Sequence, residues 1–303
     1  MGIVLNEGLS QISLIFIYAA MAVYTAAFLT FASHLSRLAS DKKKVRTSAT
    51  KLERVGIIVM GFAALLHGVG VVLRGIAASR VPWANMYEFS ITGSFVIMMI
   101  FLMALAIKDI RLIATFVNGF VLLVLGAATS VFYVEVKSLM PALQSYWLVI
   151  HVMVAILATA FFYIAAAFSI AYLLKSAKWV EKSKAKSVAT FRRVLAVFPS
   201  IENMERLAYR FNIIGFILWS FTLIAGAIWA ERAWHRYWGW DTKEVWTFII
   251  WTIYAGYLHA NATRGWTGKR SAWLGLIGFL AVLFNFTIVN LFFKGLHVYS
   301  GLK

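Results

Sequence analysis

Eight separate apolar runs dominate this sequence, at roughly 10–33, 55–74, 90–107, 112–131, 146–174, 211–230, 244–262 and 272–293. A helix of about twenty apolar residues spans the hydrocarbon of a bilayer. Within it, only helices and closed barrels satisfy every backbone group. The expected fold class is therefore all-α: an integral membrane protein, a polytopic bundle of about eight transmembrane helices. With 62% hydrophobic and only 14% charged residues, the chain has more apolar side chains than a soluble core of 303 residues can hide. The prolines Pro82, Pro141 and Pro199 all fall between runs, leaving the helix interiors unbroken. With no internal repeat and no room for a soluble domain, residues 1–303 read as one transmembrane domain. The first run lacks a basic leader and a small-residue cleavage site, so it is expected to be a permanent span.

The net charge of +17 does not point to nucleic acid, because the basic residues sit in the loops between runs. Of 29 Lys and Arg, 21 fall after runs 1, 3, 5 and 7, and 8 fall elsewhere, whereas the 12 acidic residues split evenly. The positive-inside rule places the richer loops in the cytoplasm, so both termini are expected to be extracytoplasmic. The two longest inner loops, 34–54 with Lys42-Lys43-Lys44 and 175–210, suit anchorage on anionic lipid. The absence of cysteine excludes disulfides, thiolate metal sites and thiol redox chemistry by the chain itself.

The outer loop between runs 6 and 7 holds five tryptophans in the eighteen residues 229–246. An interfacial aromatic belt accounts for one or two per helix end. Such density, interleaved with charges, points instead to a platform for a large flat apolar ligand, with Arg232, Arg236 and Lys243 available to acidic groups on its rim. Asp241 and Glu244 are spaced as a capping box for the seventh span.

The histidines are the second signal. His151, near the outer start of run 5, and His297, just beyond run 8, both fall near the outer interface. Neutral imidazole is a normal axial ligand of haem iron, and two can hold one iron from opposite faces. His259 lies about 22 Å deeper than Glu244 at 1.5 Å per residue, near the cytoplasmic side. His67 sits inside run 2, as a functional group or as a hydrogen-bonded histidine between helices. His34 is at the inner end of run 1, and His235 is in the tryptophan loop.

At these residues the sequence resembles the CcsA (ResC) cytochrome c biogenesis proteins, with their WWD haem-handling domain. The segment Trp234-His-Arg-Tyr-Trp238-Gly-Trp240-Asp241-Thr-Lys243-Glu244 is similar to the family signature W-G-x-Y-W-x-W-D-P-K-E. Pro82-Trp-Ala-Asn85-Met-Tyr87-Glu88, Tyr254-Ala-Gly-Tyr-Leu-His259 and Gly295-Leu-His297-Val-Tyr299 resemble further family elements in the same order. Thr242 stands where the family has Pro, and His235 where it has Gly. The resemblance implies an assembly region over 55–303 with its WWD segment at 229–246.

The resemblance also implies that His151 and His297 ligate haem at the outer face and that His259 belongs to a second, membrane-embedded haem position. Trp234, Arg236, Trp238, Trp240, Asp241, Lys243, Glu244 and Asn85 would be cofactor-binding. The implied cargo is haem b, exported and presented for covalent attachment to the Cys-x-x-Cys-His motif of apocytochrome c, in a bacterial inner membrane or thylakoid equivalent. Implied partners are a CcsB-like membrane protein, with which the chain would form a cytochrome c haem lyase, and thiol-reducing proteins. A CcmC-like haem transporter or chaperone without ligation is the alternative. A b-type electron-transfer subunit needs paired histidines at one depth, and His67 and His259 differ by about 10 Å in estimated depth. A channel for polar solutes gives the tryptophan loop no use. No side chain stands out as a nucleophile or acid–base dyad.

Overall fold

The computed structural model describes residues 6–38, 43–139, 143–183, 185–293 and 295–297. Pro141, Lys42, Val298 and Tyr299 from the sequence reading lie outside the described residues, as do both chain ends.

Among the described residues all regular structure is helical. The order is α1 Glu7–Leu38, α2 Lys43–Ala78, α3 Met86–Ile107, α4 Ala114–Ser130, α5 Tyr146–Lys175, α6 Lys178–Lys182, α7 Lys186–Ala196, α8 Ile201–Trp234, α9 Thr242–Arg264 and α10 Lys269–Phe284. A π-helical turn, Asn285–Val289, and a final turn, α11 Asn290–Phe292, continue α10. Each of the eight apolar runs is a helix. Seven, counting the continuous stretch Lys269–Phe292 as one, are long and apolar enough to cross a membrane. The exception is α9, long enough at 23 residues but diluted by Lys243, Glu244, Thr252, His259 and Asn261. The chain is thus a polytopic helical membrane protein.

Two stretches expected as inner loops are partly helical. The segment 34–54 contains the start of α2, and α6 and α7 lie within 175–210, where Arg192 donates to the carbonyls of Val180 (2.8 Å) and Ser183 (2.7 Å). The bundle forms by pairing α1 with α2 and α5 with α8, with α3, α4 and α10 packed against them. Small residues permit this closeness, as in membrane interiors generally: Ala165, Ala166, Ala167 and Ala171 of α5 are all buried. Phe162 of α5 stacks on Tyr254 of α9, ring centroids 3.7 Å apart, fixing α9 against the core.

Candidate functional site: an outer cavity between two histidines

The tryptophan loop is shaped by its ends. α8 stops where His235 takes a left-handed conformation at φ 55°. α9 starts with the expected capping box: Asp241 caps the first turn, and Oε2 of Glu244 accepts the backbone N–H of Asp241 (3.0 Å) and Gly239 (2.8 Å). Trp229 is buried at the centre of the loop's packing. The rings of His151 and Trp229 lie nearly parallel at 6.0 Å, while His297 meets Trp229 edge-on at 5.5 Å and Trp234 at 4.8 Å.

The two histidines therefore flank one indole, although α5 and the C-terminal segment carry them. Each is held by its Nδ1. In His151 that nitrogen lies 3.0 Å from the Thr222 carbonyl of α8, and in His297 it lies 3.2 Å from Oδ1 of Asp241. A carbonyl and an ionised carboxylate can only accept, so each Nδ1 carries a proton, and in the neutral ring that leaves the lone pair on Nε2. This is how metal-binding imidazoles are oriented by the groups behind them.

Two glycines make the arrangement possible. A Cβ on Gly226 would stand 2.8 Å from Cε1 of His151, and one on Gly295 would stand 2.2 Å from Oδ2 of Asp241. Beside Gly295, the Leu296 N–H donates to Asp241 Oδ2 at 2.8 Å. Burial by itself would raise the Asp241 carboxyl. The hydrogen bond from His297 and those from the Lys243 and Leu296 N–H groups outweigh it and pull the pKa down to about 2.

Both histidines line a cavity of about 260 Å³ that runs from the loop into the bundle between α3, α5, α8, α9 and the π turn. Its walls are mainly apolar, from residues such as Phe89, Leu148, Trp219 and Phe286, with Asn85, Trp238, Lys243 and Glu244 also on its surface. Asn85 is the N-cap of α3, accepting from the Glu88 N–H at 2.9 Å. Lys243 donates to the Asn285 carbonyl (3.1 Å) and Asn290 Oδ1 (2.8 Å), tying the start of α9 to the π turn. Oε1 of Glu244 and Oδ1 of Asn285 are buried without a hydrogen-bond partner.

The remaining residues singled out in the sequence stand apart from the cavity. Trp240 is 77% exposed at φ 60°, Arg236 folds over Gly239, and Trp234 reaches the site through its edge contacts with Trp229 and His297. Arg232 lies over the Tyr146 ring at 5.8 Å. His235 is exposed, as is His259 on α9. His67 is fully buried with both nitrogens engaged, Nδ1 3.4 Å from the Tyr24 hydroxyl and Nε2 2.9 Å from the Ile91 carbonyl. It is the hydrogen-bonded histidine between helices. His34 is buried, 3.8 Å from the Glu53 carboxylate.

Sequence reasoning missed the group that shapes the first outer loop. Arg74, fully buried at the end of α2, donates to Glu88 Oε1 (3.1 Å), Ser10 Oγ (2.9 Å) and the Val134 carbonyl (2.8 Å). Arg80 and the Ala84 N–H also bind the Glu88 carboxylate, which fixes the turn carrying Trp83 and Asn85 into the cavity wall. A cation at the edge of an apolar run was the available signal. The π turn was missed as well, although such turns favour functional sites; Asn285 and Asn290 within the last run were its only trace.

Comparison with known proteins agrees on one family. The model of the cytochrome C assembly protein family matches residues 59–297. The cytochrome c biogenesis protein CcsA of Prochlorococcus marinus is 34% identical over 262 residues, covering 80% of this chain and 83% of that one. That of Synechococcus elongatus is 30% identical over 286 residues, covering 82% and 88%. Among solved structures, the cytochrome c heme lyase CcmF superposes with a TM-score of 0.61 at 14% identity. The match covers 93% of this chain but only 47% of that one, a likeness of fold.

Proposed function

The chain belongs to the cytochrome c assembly protein family and serves cytochrome c biogenesis, and from that premise we propose that it holds haem in the outer cavity for attachment to apocytochrome c. The observation that carries this reading is the pair of imidazoles, His151 and His297, whose Nδ1 protons are committed and whose Nε2 lone pairs are not. Two neutral imidazoles around an apolar slot are the donor set that a haem iron takes. The aromatic walls suit the faces of a porphyrin and exclude water.

In this reading the chain acts mainly by positioning. His151 and His297 fix the iron and Trp238 covers the ring. Holding the cargo's vinyl groups in one orientation turns an encounter with a thiol into a near-unimolecular step. The cargo is haem b and the acceptor is the Cys-x-x-Cys-His motif of an apocytochrome, kept reduced by thiol-reducing proteins. With a CcsB-like partner the chain forms a haem lyase in a bacterial inner membrane or thylakoid equivalent, with the cavity on the extracytoplasmic side. His259, exposed on α9, belongs to a second haem position whose other ligand comes from the partner.

The test is to purify the chain with and without its partner and record absorption spectra. A Soret band with low-spin bis-imidazole features, lost on replacing His151, supports the reading. A preparation free of haem in both forms, and unable to take it up, defeats it.

A further inference from the structure

The two carboxylate oxygens of Glu244 have different surroundings. Oε2 accepts two backbone N–H groups and closes the capping box. Oε1 is buried, has no hydrogen-bond partner, and belongs to a side chain on the wall of the cavity that holds His151 and His297. Glu244 is only 8% exposed. A second such acceptor, Oδ1 of Asn285, is on the same wall in a residue 5% exposed.

Leaving a buried acceptor without a donor is costly, and such atoms call for a catalytic role or a ligand that supplies the donor. Ionised carboxylates on a haem rim bring only acceptors, so they do not complete either oxygen. The nearby Lys243 ammonium already donates to Asn285 O and Asn290 Oδ1. The group that fits must carry a hydrogen, and a substrate thiol does.

We propose that Glu244 Oε1 is the proton relay for thioether formation, taking the proton of an apocytochrome thiol and returning it to the haem vinyl group. The inference rests on the haem-handling reading above. Oε1 accepts the S–H proton, and the sulfur electron pair forms a C–S bond to the vinyl carbon next to the ring. The vinyl π bond breaks, and the proton passes from Oε1 to the terminal carbon, which becomes a methyl group. One S–H and one C=C are consumed, no electrons enter or leave, and Glu244 ends as it began. Asn285 Oδ1, an amide oxygen that does not take up a full proton at neutral pH, accepts the hydrogen bond of the motif's other thiol and orients it.

The discriminating variant is Glu244→Gln, whose amide oxygen can still accept the two cap N–H groups in the same volume. The full chain with its partner, loaded with haem, is mixed with a reduced Cys-x-x-Cys-His peptide. The haem spectrum and single-turnover thioether formation are then followed across pH. The expected result is a retained bis-imidazole Soret band with thioether formation slowed about a hundredfold, a usual worth of a positioned acid–base group. In Glu244→Ala, added acetate restores part of the rate. A Gln variant that forms thioether at the wild-type rate overturns the relay. So does one whose thioether yield falls only in proportion to lost haem, because Glu244 then holds cargo. A wild-type chain that binds no haem defeats the haem-handling reading and the relay with it.

Discussion

The imidazole of His297 donates from Nδ1 to Oδ1 of Asp241 at 3.2 Å, across 56 residues of sequence. The same carboxylate caps α9 and accepts the Leu296 N–H. One side chain thus joins the start of a helix, the segment after the last helix and the tautomer of a candidate iron ligand.

Asp241→Asn separates these duties. Asparagine is also a good N-cap, so helix stability should change little. The neutral amide holds His297 less firmly, and haem affinity should fall about ten- to hundredfold, the usual cost of losing such a supporting group. Asp241→Ala should lose about 1 kcal/mol of stability as well. Haem titration of the two variants against thermal unfolding checks this. Equal haem affinity in wild type and Asp241→Asn would remove the orienting role.

The depressed pKa of Asp241, about 2 against an ordinary 3.8, has a signed consequence. Deprotonation is favoured by folding, so the stabilisation is fully present above pH 3.8 and lost as the pH falls through about 2. Unfolding followed from pH 7 to pH 2 should show this acid step, and Asp241→Asn should flatten it.

Gly226→Ala should lower haem content without lowering protein yield. Alanine favours a helix over glycine by up to about 1 kcal/mol, but its Cβ would press on the His151 ring. Wild-type haem occupancy in this variant would mean that the ring position is not critical.

Trp238 and Trp240 should differ. Trp238 lines the cavity and Trp240 is mostly exposed, so Trp238→Ala should weaken haem retention several-fold more. Equal losses, or loss of membrane accumulation in both at unchanged haem per molecule, would recast the cluster as an interfacial anchor.

Reporter fusions after residues 45 and 190 should read cytoplasmic, following the excess of Lys and Arg in those loops. An external signal at 190 would turn the cavity to the wrong side of the membrane.

The helices were legible because each apolar run had to close its own backbone hydrogen bonds in lipid. The capping box at Asp241 and Glu244 was legible because its spacing is local. What could not be read was set by distant approach: the Thr222 carbonyl behind His151, the room left by Gly226 and Gly295, and the Arg74–Glu88 contact. Trp240, prominent in the sequence, points out of the cavity because its left-handed backbone turns it away. His67, interesting as a polar residue inside a span, is occupied by Tyr24 and Ile91.

The most direct test of the central claim is imidazole rescue of His151→Gly and His297→Gly, read by the Soret band of the purified chain with its partner. The account predicts that each variant loses bis-imidazole haem and that added imidazole restores it by filling the vacated position. Wild-type spectra in both variants, without imidazole, would contradict it.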